Sequence, residues 1–201
     1  MRAVVTGGIA SGKSLFSRFL REEGIETRDA DDIVRALESP GGAAVDEIRS
    51  AFGNWVVAPD GSIDRKALAD IVFAPGGEKA RRSLEKILHP AVRDELLRWL
   101  DGSPSGVFRA AVVPLLFESG WEGDFDMVVC LSAGEAIRTE RLSALRGMDA
   151  AHAKARIAAQ MPDFEREKRS TLVVRNDGSA EELRKEARRV ALEIKRKYAD
   201  G

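Results

Sequence analysis

Apolar runs recur along the chain at 2–6 (RAVVT), 107–113 (VFRAAVV) and 125–131 (FDMVVCL), with shorter ones at 25–28 and 171–175 (TLVVR). Each is short and nearly continuous, the pattern of a strand buried on both faces of a parallel sheet. Helix-period stretches lie between them, so the alternation predicts an α/β fold with crossover helices. At the C-terminus Leu183, Ala187, Val190, Ala191, Ile194 and Tyr198 form one apolar stripe with charges covering the rest, and this predicts a helix packed on the sheet. Two regions exceed a simple crossover. About eighty residues separate the runs at 25–28 and 107–113. They read as helices over Asp31–Glu38, Ala43–Phe52, Arg65–Phe73 and Glu78–Leu100, broken at SPGG, APDGS and APGG. A helical insertion of that size can form a substrate-binding lobe. The second region, about 138–169, carries Arg138, Arg141, Arg146, Lys154, Arg156, Arg166, Lys168 and Arg169 between two core strands. It reads either as a lid closing over phosphates or as an ordinary solvated face, since Asp and Glu are interleaved.

Composition narrows the class. With 44% hydrophobic and 32% charged residues in 201, the chain is of globular type and long enough for a sizeable core. A formal net charge of −1 argues against a dedicated nucleic-acid binder. The single cysteine, Cys130, lies in an apolar run and has no partner for an internal disulfide. No stretch approaches the length of a membrane span, and a motif begins at the first residues, where a signal peptide would be. The expectation is a cytoplasmic protein without membrane or nucleic-acid partners, a monomer or weak homo-oligomer.

The chemistry enters at GGIASGKS, residues 7–14, directly after the first apolar run. Glycine weakens a strand or helix interior, so this composition points to a backbone that something must approach closely. The stretch fits G-x-x-x-x-G-K-[ST], with Gly7 and Gly12 as the fixed glycines. Such a loop turns backbone N–H groups into a nest for anionic oxygens, and the following helix adds its free N–H groups and positive dipole end. Lys13 would reach the β- and γ-phosphates of a nucleotide, and the Ser14 hydroxyl would ligate Mg²⁺. A chance glycine-rich turn is the competing explanation, and the strand–loop–helix setting speaks against it.

Two further words stand at predicted strand ends. RDADDI, 28–33, crowds Asp29, Asp31 and Asp32 where ligands of open parallel sheets bind. One of them could take a proton from an attacking hydroxyl or hold Mg²⁺ through water; equally, Asp29 or Asp31 could cap the following helix. VPLLFE, 113–118, places Glu118 in the cleft or on a solvated loop.

GGIASGKS, DADDI, DGSIDRKAL (60–68), KILHPAVR (86–93), VPLLFESG (113–120), IAAQM (157–161) and NDGS (176–179) together, in this order, resemble the dephospho-coenzyme A kinase family over nearly the whole chain. The resemblance implies a P-loop kinase-type parallel core over 1–30, 105–137 and 170–201. It implies a helical domain for the coenzyme A precursor over 31–104 and a lid over 138–169. It implies transfer of the γ-phosphoryl group of ATP, with Mg²⁺, to the ribose 3′-hydroxyl of dephospho-coenzyme A.

By the same resemblance Asp31 is the general base, and Gly8, Ile9, Ala10, Ser11, Gly12, Lys13, Ser14 and Leu15 hold the phosphates. Arg141 neutralises charge on the transferred group. His89 and Arg93 lie near the acceptor, while Asn176 and Gly178 lie near adenine; Glu118, if it points into the cleft, joins the acceptor side. For His89 a structural role at the helix bend before Pro90 competes. His152 reads as surface. Departures from the family pattern are Ala10 in place of a common glycine, Leu15 in place of threonine, Val112–Val113 where many P-loop enzymes carry a metal-binding aspartate, and an offset Arg146. The rival readings are a P-loop kinase for another small hydroxyl substrate and a nucleotide-dependent switch with no acceptor. The chain has no N-K-x-D guanine motif, which counts against a GTPase.

Overall fold

A computed structural model of the chain describes residues 1–199, with the side chain of Arg146 outside the described set. The elements in order are β1 (Ala3–Gly7), α1 (Lys13–Glu22), β2 (Ile25–Asp29), α2 (Ala30–Leu37), α3 (Val45–Phe52), α4 (Arg65–Val72) and α5 (Glu78–Asp101). They continue with β3 (Phe108–Val112), β4 (Met127–Ser132), α6 (Glu135–Arg146), α7 (Ala150–Ala158), α8 (Asp163–Lys168), β5 (Leu172–Arg175) and α9 (Ala180–Ala199). The chain divides into two compact units, one of residues 1–29 with 100–201 and one of residues 30–99.

The first unit is built on a five-stranded, all-parallel sheet of order β2-β3-β1-β4-β5. β1 is central, with Ala3 opposite Ala110 on one side and Met127 on the other. All five of its residues are buried, which explains why its sequence is a plain apolar run rather than an alternating one. Ala3 and Val5, of one parity, pack with Phe16, Phe19 and Leu20 of α1 and with Leu183, Ala187, Val190, Ala191 and Ile194 of α9. The predicted apolar stripe of the last helix is therefore the face that covers the sheet. Burying five such side chains removes enough apolar surface to stabilise α9 by several kcal/mol, at about 25 cal/mol per Å². The sheet order reverses direction around β1, so its carboxyl end is the place where ligands of open α/β sheets sit.

Within this unit α6, α7 and α8 replace the single basic segment expected over 138–169, and α6 begins earlier, at Glu135. Gly147 ends α6 with φ 61, and Asp149 caps α7 by accepting from the backbone N–H groups of Ala151 and His152, both at 3.0 Å.

The second unit is helical, and its core gathers Ala44, Val45, Ile48, Val56, Ile63, Leu68, Val72 and Leu88. Asp64 caps α4 through Ala67 N–H at 3.0 Å. The carboxylate of Glu38, only 6% exposed, accepts from Arg65 Nε at 2.7 Å. Pro90 lies inside α5.

Candidate active site

The loop between β1 and α1 holds the glycine-rich stretch that the sequence marks for phosphate binding. Gly12 adopts φ 102 immediately before Lys13, the first residue of α1. A Cβ on Gly12 would collide with the side-chain nitrogen of Asn176, so a close approach as well as the left-handed backbone requires glycine there. Ala10 takes φ 59 and is the non-glycine residue with positive φ among those described. That conformation explains why a glycine is common at this position, and it costs alanine roughly 1 kcal/mol.

What orients the loop is the fate of its carbonyl groups. Lys13 Nζ donates to the carbonyls of Gly7 at 2.7 Å and Gly8 at 3.0 Å. Arg141 Nη1 donates to the carbonyl of Ala10 at 3.4 Å, and Asn176 Nδ2 donates to that of Ser11 at 2.7 Å. Four loop oxygens thus face cationic or amide donors. A loop with its carbonyls tied down in this way turns its remaining N–H groups, with those of the first turn of α1, toward an anion. Two N–H groups are already used: Ile9 donates to Gln160 Oε1 at 2.7 Å, and Ser11 to the Gly8 carbonyl at 3.2 Å. Ile9 and Ala10 also pack against Leu142, Ala153 and Ile157, so α6 and α7 touch the loop through an apolar cluster.

The remaining sequence candidates fall as follows. Arg141 also donates to the backbone carbonyl of Asn176 at 2.9 Å, and this joins it to both the loop and the turn after β5. Asn176 is buried, its amide nitrogen engaged with the loop. Gly178 belongs to the turn that opens α9. There Ser179 and Glu182 form a reciprocal cap, Ser179 N–H to Glu182 Oε2 at 2.6 Å and Glu182 N–H to Ser179 Oγ at 3.2 Å. The Ser179 N–H, and after it the Ser179 hydroxyl donating to Oε2 at 3.0 Å, hold the Glu182 carboxyl below its ordinary range. Asp177 Oδ1 accepts from Gly134 N–H at 2.7 Å and so ties the same turn to the start of α6. Glu118 accepts from Met161 N–H at 3.2 Å. Ser14 and Leu15 lie in the first turn of α1. Asp31 lies in the first turn of α2, which follows β2 without a loop, and neighbouring Asp32 pairs with Arg35. His89 and Arg93 lie on α5 around Pro90. His152 is exposed and pairs with Asp149. Burial pushes the Cys130 thiol up to about 11, so it stays protonated at neutral pH.

The sequence placed Arg138 and Arg166 only among the basic residues of the 138–169 segment and Gln160 only within IAAQM, and gave none of these, nor Asp163, a role of its own. The side chains of Arg138 and Arg166 are 4% and 2% exposed, and both donate to Asp163, at 2.5 Å and 2.9 Å. The i, i+3 spacing of Asp163 and Arg166 was the visible signal, but it is equally the spacing of a surface ion pair.

The donor set suits a magnesium ion in one respect. Ser14 offers an exposed hard oxygen beside the phosphate nest, and Mg²⁺ keeps most of its waters and binds through one or two protein oxygens plus phosphates. Among the described residues no group of three His, Cys, Asp or Glu is placed to hold a metal by itself. No described helix is long and apolar enough to cross a membrane.

The chain matches the family model for dephospho-CoA kinase over residues 2–182. It is 43% identical over 201 residues to a dephospho-CoA kinase of Anaeromyxobacter dehalogenans, covering 97% of this chain and 93% of that protein. It is 44% identical over 185 residues to one of Symbiobacterium thermophilum, covering 90% of this chain and 75% of that protein. The solved dephospho-CoA kinase of Campylobacter jejuni superposes with a TM-score of 0.71 at 28% identity, covering 96% of each chain. A phosphate loop at the centre of a parallel sheet, in a chain with these relatives, has one reading: the chain belongs to the dephospho-CoA kinase family.

Proposed function

We propose that this chain transfers the γ-phosphoryl group of ATP to the ribose 3′-hydroxyl of dephospho-CoA, giving CoA and ADP, the last step of coenzyme A biosynthesis. The observation that carries this is the phosphate loop with its carbonyls held by Lys13, Asn176 and Arg141, in a chain of that family.

Phosphoryl transfer needs little covalent help from a protein; positioning and charge stabilisation supply most of the catalysis. The stretch Gly8–Leu15 holds the phosphates of ATP, through the N–H groups of Ala10 and of Gly12 to Leu15. When they are bound, Lys13 exchanges the Gly7 and Gly8 carbonyls for phosphate oxygens. The Ser14 hydroxyl would hold Mg²⁺, which would supply charge neutralisation at the phosphates. Arg141 stabilises charge on the transferred group. Asp31 accepts the proton of the 3′-hydroxyl as its oxygen attacks phosphorus and the bond to the β-phosphate oxygen breaks. Asn176 and Gly178 form the adenine side, and His89, Arg93 and Glu118 the acceptor side. Residues 31–104 bind the coenzyme A precursor, and residues 138–169 form a lid. We place the enzyme in a reducing, cytoplasmic setting, as a monomer or weak homo-oligomer.

The test is ADP release from ATP on adding dephospho-CoA, alongside a panel of other hydroxyl acceptors such as shikimate, a sugar acid and a nucleoside monophosphate. Release that requires dephospho-CoA is the expected result. A preference for another acceptor would make this a different small-molecule kinase, and equal turnover without any acceptor would make it a switch.

A further inference from the structure

Beside Gly8, on the phosphate loop, lies a buried cluster that the reaction described above does not use. Arg138 of α6 and Arg166 of α8 converge on one carboxylate, Asp163, from the start of α8. Arg138 Nη2 donates to Oδ2 at 2.5 Å and Arg166 Nη1 to Oδ1 at 2.9 Å. Two guanidinium groups share one negative charge, and arginine does not give up its proton in a protein. The cluster therefore carries a net positive charge in a place that water barely reaches. Four of its nitrogens, Nε and Nη1 of Arg138 and Nε and Nη2 of Arg166, are buried with no hydrogen-bond partner among the described residues.

Such an arrangement is costly by itself. Buried donors are nearly always paired, and a buried charge without full compensation opposes folding. A guanidinium is also the side chain best shaped to grip phosphate oxygens through two parallel N–H groups. The cluster's position supplies the rest. A Cβ on Gly8 would collide with Arg138 Nη1 and lie 3.3 Å from Arg166 Nη1, so both guanidinium groups press on the loop where it has no side chain. On the Gly8 carbonyl sits Lys13 Nζ, at 3.0 Å. Three cations and one carboxylate thus surround a single loop residue. The surplus they leave matches the charge of a phosphoryl group.

We propose that Arg138 and Arg166 form an anion subsite beside Gly8 for the terminal phosphoryl group of ATP, with Asp163 holding the two guanidinium groups in place. This rests on the reading of the loop as an ATP site. Its consequence is that the two arginines distinguish ATP from ADP, because only ATP presents the terminal group.

The experiment is isothermal titration of the full chain with ATP and, separately, with ADP, each with and without Mg²⁺. It compares wild type with Arg138→Met, Arg166→Met and the surface control His152→Ala. Each methionine variant leaves a neutral Arg–Asp pair and fewer unpaired donors, so its thermal midpoint stays at or above that of wild type. ATP affinity should fall at least tenfold in each while ADP affinity stays within about twofold, with or without the metal, and the control should match wild type. ATP and ADP affinities that fall together, or neither falling, would reduce the cluster to a packing feature and overturn the proposal. Asp163→Asn gives a second reading should the methionine variants not fold. Removing the carboxylate leaves two like charges together and lowers the midpoint, and ATP should restore it further than ADP does. Equal restoration by the two nucleotides also overturns the proposal. A wild-type chain that binds no ATP would sink the functional reading instead, so the two failures are separable.

Discussion

Asn176 donates its side-chain N–H to the Ser11 carbonyl at 2.7 Å, across 165 positions of sequence and out of reach of water. The same residue's backbone carbonyl accepts from Arg141 at 2.9 Å. One asparagine thus fastens the phosphate loop to the turn after β5. Asn176→Ala leaves the Ser11 carbonyl without its buried partner, a loss of about 1–3 kcal/mol. The thermal midpoint should fall by several degrees and the KM for ATP should rise, both measured on the same preparation. Unchanged stability would show that the loop holds its shape without this bond.

Lys13 donates to the Gly7 and Gly8 carbonyls, and in the proposed reaction its charge is needed where phosphate oxygens replace them. Lys13→Ala should therefore cut kcat by orders of magnitude. The circular dichroism spectrum and thermal midpoint should stay near those of wild type, because the bonds to the Gly7 and Gly8 carbonyls lie at a partly exposed site. Wild-type-like turnover would take the loop out of the mechanism.

Asp31 tests proton transfer against helix capping. Asparagine caps a helix about as well as aspartate but does not accept the hydroxyl proton. Asp31→Asn should keep the melting temperature and lose about 10² to 10⁴ in turnover. Recovery at raised Mg²⁺ would reassign Asp31 from base to metal ligand, and near-normal turnover at ordinary Mg²⁺ would leave it as a cap.

Glu38 gives the second unit a signature in pH. Burial raises its carboxyl above the ordinary range, and the bond from Arg65 offsets this only in part. A carboxyl that holds its proton more tightly in the folded chain favours folding at low pH. That advantage is lost as pH rises from the unfolded value through the raised one, and above it stability is flat. Glu38→Gln removes this slope while still accepting from Arg65. The difference in thermal midpoint between variant and wild type should shift in the variant's favour from about pH 4 to about pH 7. A pH-independent difference would show that Glu38 titrates alike in both states.

The sheet was legible because its strands are apolar and short. The runs at 2–6, 25–28, 107–113, 125–131 and 171–175 fall within two residues of β1, β2, β3, β4 and β5 at either end. The stripe of α9 was equally plain, since five of its six predicted residues are fully buried. The phosphate loop showed in its glycines, because backbone that must approach an anion excludes side chains. Hidden were the interactions that fix the loop's orientation. Gln160 on the Ile9 N–H and Asn176 on the Ser11 carbonyl join positions more than a hundred residues apart, and nothing in either sequence neighbourhood records the partner. Arg138 and Arg166 were hidden for another reason. They stand among acidic neighbours at helical spacing, and charge patterning alone does not separate an inward guanidinium from a solvated one.

Ile9 and Ala10 make the loop and the pair α6–α7 a single apolar body with Leu142, Ala153 and Ile157. Moving the helices away returns those side chains to water, at roughly 25 cal/mol for each Å² uncovered. Loop shape and helix position are therefore thermodynamically linked. Any ligand that tightens the loop holds the helices more firmly, and by reciprocity anything that stabilises the helices raises the affinity of the loop for that ligand by the same factor. If the loop holds a nucleotide as proposed, the affinity is set partly by Ile157 and Ala153, whose side chains act on it through the helix pair's packing on Ile9 and Ala10.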